Sequence, residues 1–111
     1  MKFYLFIGRY QPLHEGHIKL IRTVLDKGDG VLIGLRKTSI SEKNPHSMKE
    51  RTDMFEAIFK SEIANGKVLV MPLPVDIAGI CYGRGVGYEI REIRLSEETE
   101  AISGTAIRAE L

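Results

Sequence analysis

Two of the three histidines in the chain, His14 and His17, flank Gly16 in the segment GRYQPLHEGH, residues 8–17. This segment directly follows the apolar run Phe3–Ile7. An imidazole N–H can donate to a phosphate oxygen, and a helix that begins near Gly16 would add its dipole and its backbone N–H groups. Donors aimed at charge that grows in a transition state are the main means of accelerating phosphoryl and nucleotidyl transfer. The spacing therefore predicts an anion-binding site suited to phosphate chemistry.

Two other interpretations of the histidine pair compete with a phosphate site. The first is a metal pair, but zincins place their histidines four residues apart on a formed helix, and no third ligand stands near His14 and His17 in the sequence. The second is a structural cap, the usual role of a single histidine at a turn. Two histidines around one glycine, behind a buried strand, make that role less expected for the pair. The sequence excludes neither alternative.

A second candidate anion site lies near the other end of the chain, in the segment ISGTAIR, residues 102–108. Ser103 and Thr105 are typical of a helix start, and Arg108 lies one turn beyond Thr105 on the same face. Taken alone, the segment would be read as an ordinary capped helix. Taken with the histidine pair, it predicts that the two ends of the chain meet around one polyphosphate.

Alternating strands and helices must position these residues. Short apolar runs predict strands, and apolar residues at three- and four-residue steps predict helices. The order strand, helix, strand, helix, strand predicts an α/β fold with a parallel sheet, in which ligands bind beyond the carboxyl ends of the strands. Because Phe3–Ile7 is continuously apolar, we expect both of its faces to be covered. The predicted strands are 3–7, 31–35 and 67–73, and the predicted helices are 16–25 and 48–60.

Local signals refine the second helix and the later part of the chain. Ser47 and Glu50 match a capping box, which predicts that the helix begins at about Met48. Its predicted buried face comprises Met54, Phe55, Ile58 and Phe59. Further along, 77–81 fits a short strand or a single turn, and the alternation in 88–95 fits a final strand.

Composition limits the function classes. The chain has 111 residues, with 43% hydrophobic and 28% charged side chains, which fits a single globular domain over residues 1–111. With 16 basic and 15 acidic side chains the net charge is only +1, so the chain has no strong positive field that would favour binding to nucleic acid. No apolar stretch is long enough to span a membrane. A single cysteine is typical of a reducing, cytoplasmic setting. The small core leaves self-association into a homo-oligomer open.

Three segments together resemble a known superfamily. The histidine pair across glycine and the ISxTxxR-like element in ISGTAIR are signatures of nucleotidyltransferases of the HxGH type, which contain a cytidylyltransferase-like domain. The opening GRYQP is most similar to the GRFQP of archaeal-type nicotinamide-mononucleotide adenylyltransferases. The segment NPHSMKER, residues 44–51, is similar to their NPFTxxER element, with His46 where an aromatic residue is usual.

This resemblance implies a minimal Rossmann-like three-layer sandwich with a parallel sheet of about five strands. It also implies that the chain binds ATP with Mg²⁺, transfers AMP to a phosphorylated acceptor such as nicotinamide mononucleotide and releases pyrophosphate. The implied catalytic residues are His14, His17 and Arg108. The implied nucleotide-binding residues are Gly8, Arg9, Gly16, Ser103, Thr105 and Arg108. The implied acceptor-binding residues are Asn44, His46 and Arg51, with pairing to Glu50 or Glu15 as an alternative for Arg51.

Departures from the family pattern keep other functions open. Relatives usually have a longer segment between the third and fourth strands and a longer C-terminal helix, and this puts the identity of the acceptor in doubt. A CTP-dependent cytidylyltransferase that acts on a polyol phosphate shares the histidine pair, although such relatives more often begin with GTFD-like residues. A nucleotide-binding module without turnover is a further alternative, motivated by the shortened acceptor region.

Overall fold

The computed structural model describes residues 1–81, 83, 87, 89–91 and 93. Strands and helices follow one another in the predicted order, except that two helices separate the second and third strands where one, over 48–60, was predicted. The elements are β1 (Phe3–Gly8), α1 (Glu15–Leu25), β2 (Gly30–Leu35), α2 (Met48–Ile58), α3 (Lys60–Ala64) and β3 (Val68–Pro72). No helix in the described part of the chain is long and apolar enough to cross a membrane.

The three strands form one parallel sheet in the order β1-β2-β3. Gly8 is paired with Leu35, and Leu35 with Pro72, so the carboxyl ends of all three strands lie at the same edge. The predicted α/β class is confirmed. The described part of the sheet has three strands rather than about five, and residues 77–81 have irregular structure. Half of the predicted strand 88–95 lies outside the described residues, and the described half, 89–91 and 93, also has irregular structure.

The hydrophobic core lies on one face of this sheet. The buried side chains come from β2, from the inner faces of α1 and α2, and from the start of β3; they are Val31, Ile33, Leu35, Ile21, Val24, Phe55, Phe59 and Val68. On the other face, Phe3, Leu5, Leu69 and Met71 are between 43% and 53% exposed. The described residues therefore do not confirm the prediction that both faces of β1 are covered.

The second helix begins where its capping box predicts. The Ser47 hydroxyl accepts from the Glu50 N–H at 3.1 Å, and the Glu50 carboxylate accepts from the Ser47 N–H at 3.1 Å. The helix ends before Phe59, which leaves the helical conformation at φ −110° and ψ 32°. The prediction that Ile58 is buried was wrong, since Ile58 is exposed. The buried side chains instead follow a four-residue step from Arg51 and Phe55 on α2 to Phe59, directly after the helix, and Ile58 lies beside this stripe.

Candidate functional site at the carboxyl edge of the sheet

The turn that follows β1 is shaped by Tyr10. Its backbone is in the left-handed region at φ +50°, and its ring is buried edge-on against His17 and Phe55, with centroid distances of 4.7 and 4.8 Å. A Cβ atom on Gly8 would lie 3.0 Å from two carbons of this ring. Gly8 therefore makes room for the tyrosine ring, and its implied contact with a nucleotide stays a prediction. The turn directs the chain toward His14 and the start of α1.

The two histidines cap α1 reciprocally. Nδ1 of His14 accepts from the Gly16 N–H at 3.1 Å, and Nδ1 of His17 accepts from the His14 N–H at 3.2 Å. The two rings stack with a centroid distance of 3.6 Å and an interplanar angle of 20°. The structural role that the sequence left open is thus real, and it occupies the Gly16 N–H that would otherwise be free to bind an anion. Both histidines accept their capping hydrogen bond at the same ring nitrogen, Nδ1.

This use of Nδ1 fixes the tautomer. A neutral imidazole that accepts at Nδ1 carries its proton on Nε2, so His14 and His17 each keep an Nε2–H donor. Neither Nε2 atom has a hydrogen-bond partner among the residues the structure describes. Burial lowers the pKa of His14, and burial together with the neighbouring His14 lowers the pKa of His17 to about 4. Both rings are therefore neutral donors at pH 7.

The metal-pair interpretation finds no support in the described part of the chain, because no group of three or more His, Cys, Asp or Glu side chains there could hold a metal ion.

Gln11 anchors the loop that follows β2. Its side-chain amide donates to the His46 carbonyl at 2.8 Å and accepts from the His46 N–H at 2.8 Å, as a neighbouring strand would. The same nitrogen donates to the Thr38 hydroxyl at 3.2 Å. Sequence reasoning missed this residue, although a polar side chain between Tyr10 and Pro12 in a buried turn was a usable signal. Gln11 therefore fixes the position of His46 relative to β1.

Arg51 is buried beneath the site, with 1% of its surface exposed. Its Nη1 donates to the carbonyls of Arg9 at 2.9 Å and Arg36 at 2.8 Å, and its Nε donates to the Ser47 carbonyl at 3.3 Å. Neither expected ion pair, with Glu50 or with Glu15, is present. Burial lowers the pKa of the guanidinium. Arg51 thus joins the residues that follow β1 and β2 to the start of α2, and these contacts place it as a support for the site.

The remaining predicted residues are only partly brought together. Arg9 is exposed at the end of β1, and its Nη1 donates to the Asn44 side chain at 3.4 Å. Nδ1 of His46 lies 3.5 Å from a Glu50 carboxylate oxygen. The three predicted C-terminal phosphate ligands lie outside the described residues; they are Ser103, Thr105 and Arg108.

An ion pair that sequence reasoning missed joins the ends of β2 and β3. Nε of Arg36 donates to Oδ1 of Asp76 at 2.9 Å, and Nη2 donates to Oδ2 at 3.2 Å. The same Oδ1 accepts from the Ile77 N–H at 2.9 Å. The Arg36 hydrogen bonds lower the pKa of Asp76, and Arg9 lowers it further. The carboxyl edge of the sheet thus combines two accessible arginines with two neutral imidazole donors, an arrangement suited to a ligand with several phosphates.

Comparisons with known proteins identify the family to which the chain belongs. The Cytidylyltransferase-like family model matches residues 5–69. Nicotinamide-nucleotide adenylyltransferase of Thermococcus kodakarensis is 38% identical over 73 residues, which cover 63% of this chain and 39% of the relative. The enzyme of the same name from Pyrococcus furiosus is 41% identical over 78 residues, which cover 67% of this chain and 42% of the relative. The chain thus spans about two fifths of the length of these relatives.

A solved structure gives the same result at the level of the fold. The crystal structure of a bifunctional NMN adenylyltransferase/ADP ribose pyrophosphatase from Francisella tularensis, complexed with AMP and a manganese ion, matches with a TM-score of 0.58 and 31% identity. The match covers 68% of this chain and 23% of that protein. The resemblance seen in the sequence is therefore confirmed, and the chain belongs to the cytidylyltransferase-like family of nucleotidyltransferases.

Proposed function

We propose that this chain transfers AMP from ATP to nicotinamide mononucleotide and releases pyrophosphate, a step in NAD biosynthesis. The archaeal relatives named nicotinamide-nucleotide adenylyltransferase and the Francisella enzyme support this substrate pair. The observation that carries the proposal is the reciprocal histidine cap, which leaves two neutral Nε2–H donors at the carboxyl edge of a parallel sheet. A cap alone does not require histidine, since Ser, Thr, Asp and Asn fill that role better.

The chemistry needs no covalent intermediate with the protein. A phosphate oxygen of the acceptor attacks the α-phosphorus of ATP, and the bond from that phosphorus to the bridging oxygen of the β-phosphate breaks. Negative charge grows on the transferring group and on the departing pyrophosphate. His14 and His17 would donate to these oxygens from Nε2, and Arg9 would add a positive charge from the end of β1. Neutral donors give up no proton in this step, so they act by stabilising charge.

Three further roles rest on the resemblance and are part of the proposal. Ser103, Thr105 and Arg108 would bind the β- and γ-phosphates, with Arg108 acting as the catalytic cation. Asn44 and His46 would face the acceptor from the loop that Gln11 and Arg51 hold in place.

Magnesium is the proposed metal. The Francisella enzyme was crystallised with manganese and AMP, which supports a divalent cation in the reaction. The triphosphate oxygens would be its main ligands, because hard oxygen donors suit Mg²⁺. When bound, it would neutralise charge on the phosphates.

The test is pyrophosphate release and dinucleotide formation from ATP, Mg²⁺ and nicotinamide mononucleotide. We expect turnover by the natural sequence, loss of turnover in His17→Asn, and no change in Lys49→Gln, which alters only an exposed pair with Asp53 on α2. No product with nicotinamide mononucleotide would refute the substrate assignment. Turnover with CTP and a polyol phosphate instead would identify a cytidylyltransferase, and nucleotide binding without turnover would identify a binding module. Thermal stabilisation by ATP and by CTP separates the nucleotides, because stabilisation follows affinity.

A further inference from the structure

The Arg36–Asp76 pair lies at the carboxyl edge of the sheet, where the proposed site is located. Arg36 is the first residue after β2, and Asp76 follows β3. Their two hydrogen bonds, at 2.9 and 3.2 Å, form the parallel fork that a guanidinium makes with a carboxylate. A phosphate presents the same pair of oxygens to an arginine. The geometry in the free protein is thus one that an acceptor phosphate could reproduce.

A second arginine also favours the charged form of Asp76. Arg9, at the end of β1, contributes to the lowered pKa of Asp76, after the larger effect of the Arg36 hydrogen bonds. Both arginines therefore stabilise the ionised carboxylate. Its third contact, from the Ile77 N–H, does not involve Arg36 and would remain if the Arg36 side chain moved away.

The Arg36–Asp76 pair is accessible to solvent, and Arg36 can exchange its carboxylate partner for another anion. The Arg36 side chain is 32% exposed and the Asp76 side chain is 55% exposed. An exposed ion pair contributes little stability, whereas a hydrogen-bonded contact between arginine and a phosphate dianion is stronger. A phosphomonoester that reaches this edge can therefore take Arg36 from Asp76 at small cost.

The backbone that carries the two arginines is fixed from below. A single nitrogen of Arg51 binds the carbonyls of both Arg9 and Arg36. In addition, the Arg36 N–H donates to the Gly8 carbonyl at 2.9 Å. Because the backbone is held while the Arg36 side chain remains partly exposed, the side chain can exchange partners without movement of the sheet.

We propose that Arg36 is a specificity-determining residue that leaves Asp76 and binds the phosphate of the acceptor, with Asp76 as its competing internal ligand. This exchange of partners selects phosphorylated acceptors, since an acceptor without phosphate leaves the Arg36–Asp76 ion pair intact. The identity of the acceptor rests on the proposed function, but the phosphate preference does not.

The test measures binding by calorimetry and turnover by pyrophosphate release in Arg36→Gln, Asp76→Asn and the double variant. The binding probes are ribose 5-phosphate, ribose and nicotinamide mononucleotide, without ATP. We expect Arg36→Gln to weaken binding of both phosphates roughly 10- to 100-fold. We expect Asp76→Asn to strengthen it roughly 2- to 5-fold, as competition disappears. Asparagine can still accept from the Ile77 N–H, so the loop is preserved, and Lys49→Gln is the matched surface control.

The double variant separates the exchange from a general charge effect. If Asp76 acts through Arg36, the gain from Asp76→Asn disappears in the Arg36→Gln background, and a gain that persists there would overturn the proposal. Equal losses in both single variants would also overturn it, because they would identify the pair as a structural link. Opposite shifts with ribose 5-phosphate, but no turnover of nicotinamide mononucleotide, would refute the proposed function and leave this inference standing. Turnover of nicotinamide mononucleotide with an unchanged acceptor KM in Arg36→Gln would overturn this inference and leave the proposed function standing.

Discussion

Replacement of His17 by asparagine separates the two roles of this residue. The Oδ1 atom of asparagine stands at the same position along the side chain as Nδ1 of histidine, so it can accept from the His14 N–H that Nδ1 now accepts at 3.2 Å. Asparagine has no atom at the position of Nε2, so the donor proposed for the phosphates is lost. His17→Ala, in contrast, removes both functions.

The two functions have different expected magnitudes. Loss of a cap by substitution with alanine costs about 0.5–2 kcal/mol of unfolding free energy, whereas asparagine should keep most of it. Loss of one donor to transition-state charge lowers kcat by about 100- to 1000-fold. We therefore expect His17→Asn to unfold at nearly the urea concentration of the natural sequence, yet to lose about as much kcat as His17→Ala. His14→Asn should behave in the same way, because its Nδ1 makes the corresponding contact with Gly16.

The assay is urea unfolding followed by circular dichroism, together with pyrophosphate release at saturating ATP and acceptor. Both asparagine variants retaining kcat within about threefold, well below the cost of a lost donor, would refute the reasoning. In that case the histidines would serve only as caps. A large loss of stability in His17→Asn would show instead that the side chain fails to reach the His14 N–H.

Three further predictions concern the support of the site. The pKa of His17 is lowered from 6.5 to about 4, so the folded state favours the neutral ring. The unfolding free energy should therefore be at its full value above about pH 6.5 and should fall by about 3 kcal/mol as the pH is lowered toward 4. Urea unfolding across this pH range, compared with His17→Asn, measures the loss. Arg51→Met leaves the Arg9 and Arg36 carbonyls without their donor and should lower the unfolding free energy by about 2–4 kcal/mol, measured in the same way. Gly8→Ala places a methyl group 3.0 Å from the buried Tyr10 ring and should cost about 1–3 kcal/mol, seen as a lower thermal midpoint; an unchanged midpoint would mean that the ring moves freely.

Local patterns in the sequence determined the elements and the start of the site. The apolar runs and helical steps identified all three described strands and the first two helices, because periodicity is a property of neighbouring residues. The Ser47–Glu50 capping box was readable for the same reason, since its partners are three residues apart. The histidine pair was found by its spacing. A capping role seemed less expected for a pair than for a single histidine, but both histidines cap α1.

Only the tertiary structure decided which side chains support that site. The contacts of Gln11 with His46, of Arg51 with Arg9 and of Arg36 with Asp76 join residues 35, 42 and 40 positions apart. Such partners meet because parallel pairing brings the carboxyl ends of β1, β2 and β3 to one edge, and no local pattern encodes which side chains then face one another. Short-range periodicity specifies the elements, while the register between strands distant in the chain specifies the charges and hydrogen bonds of the site.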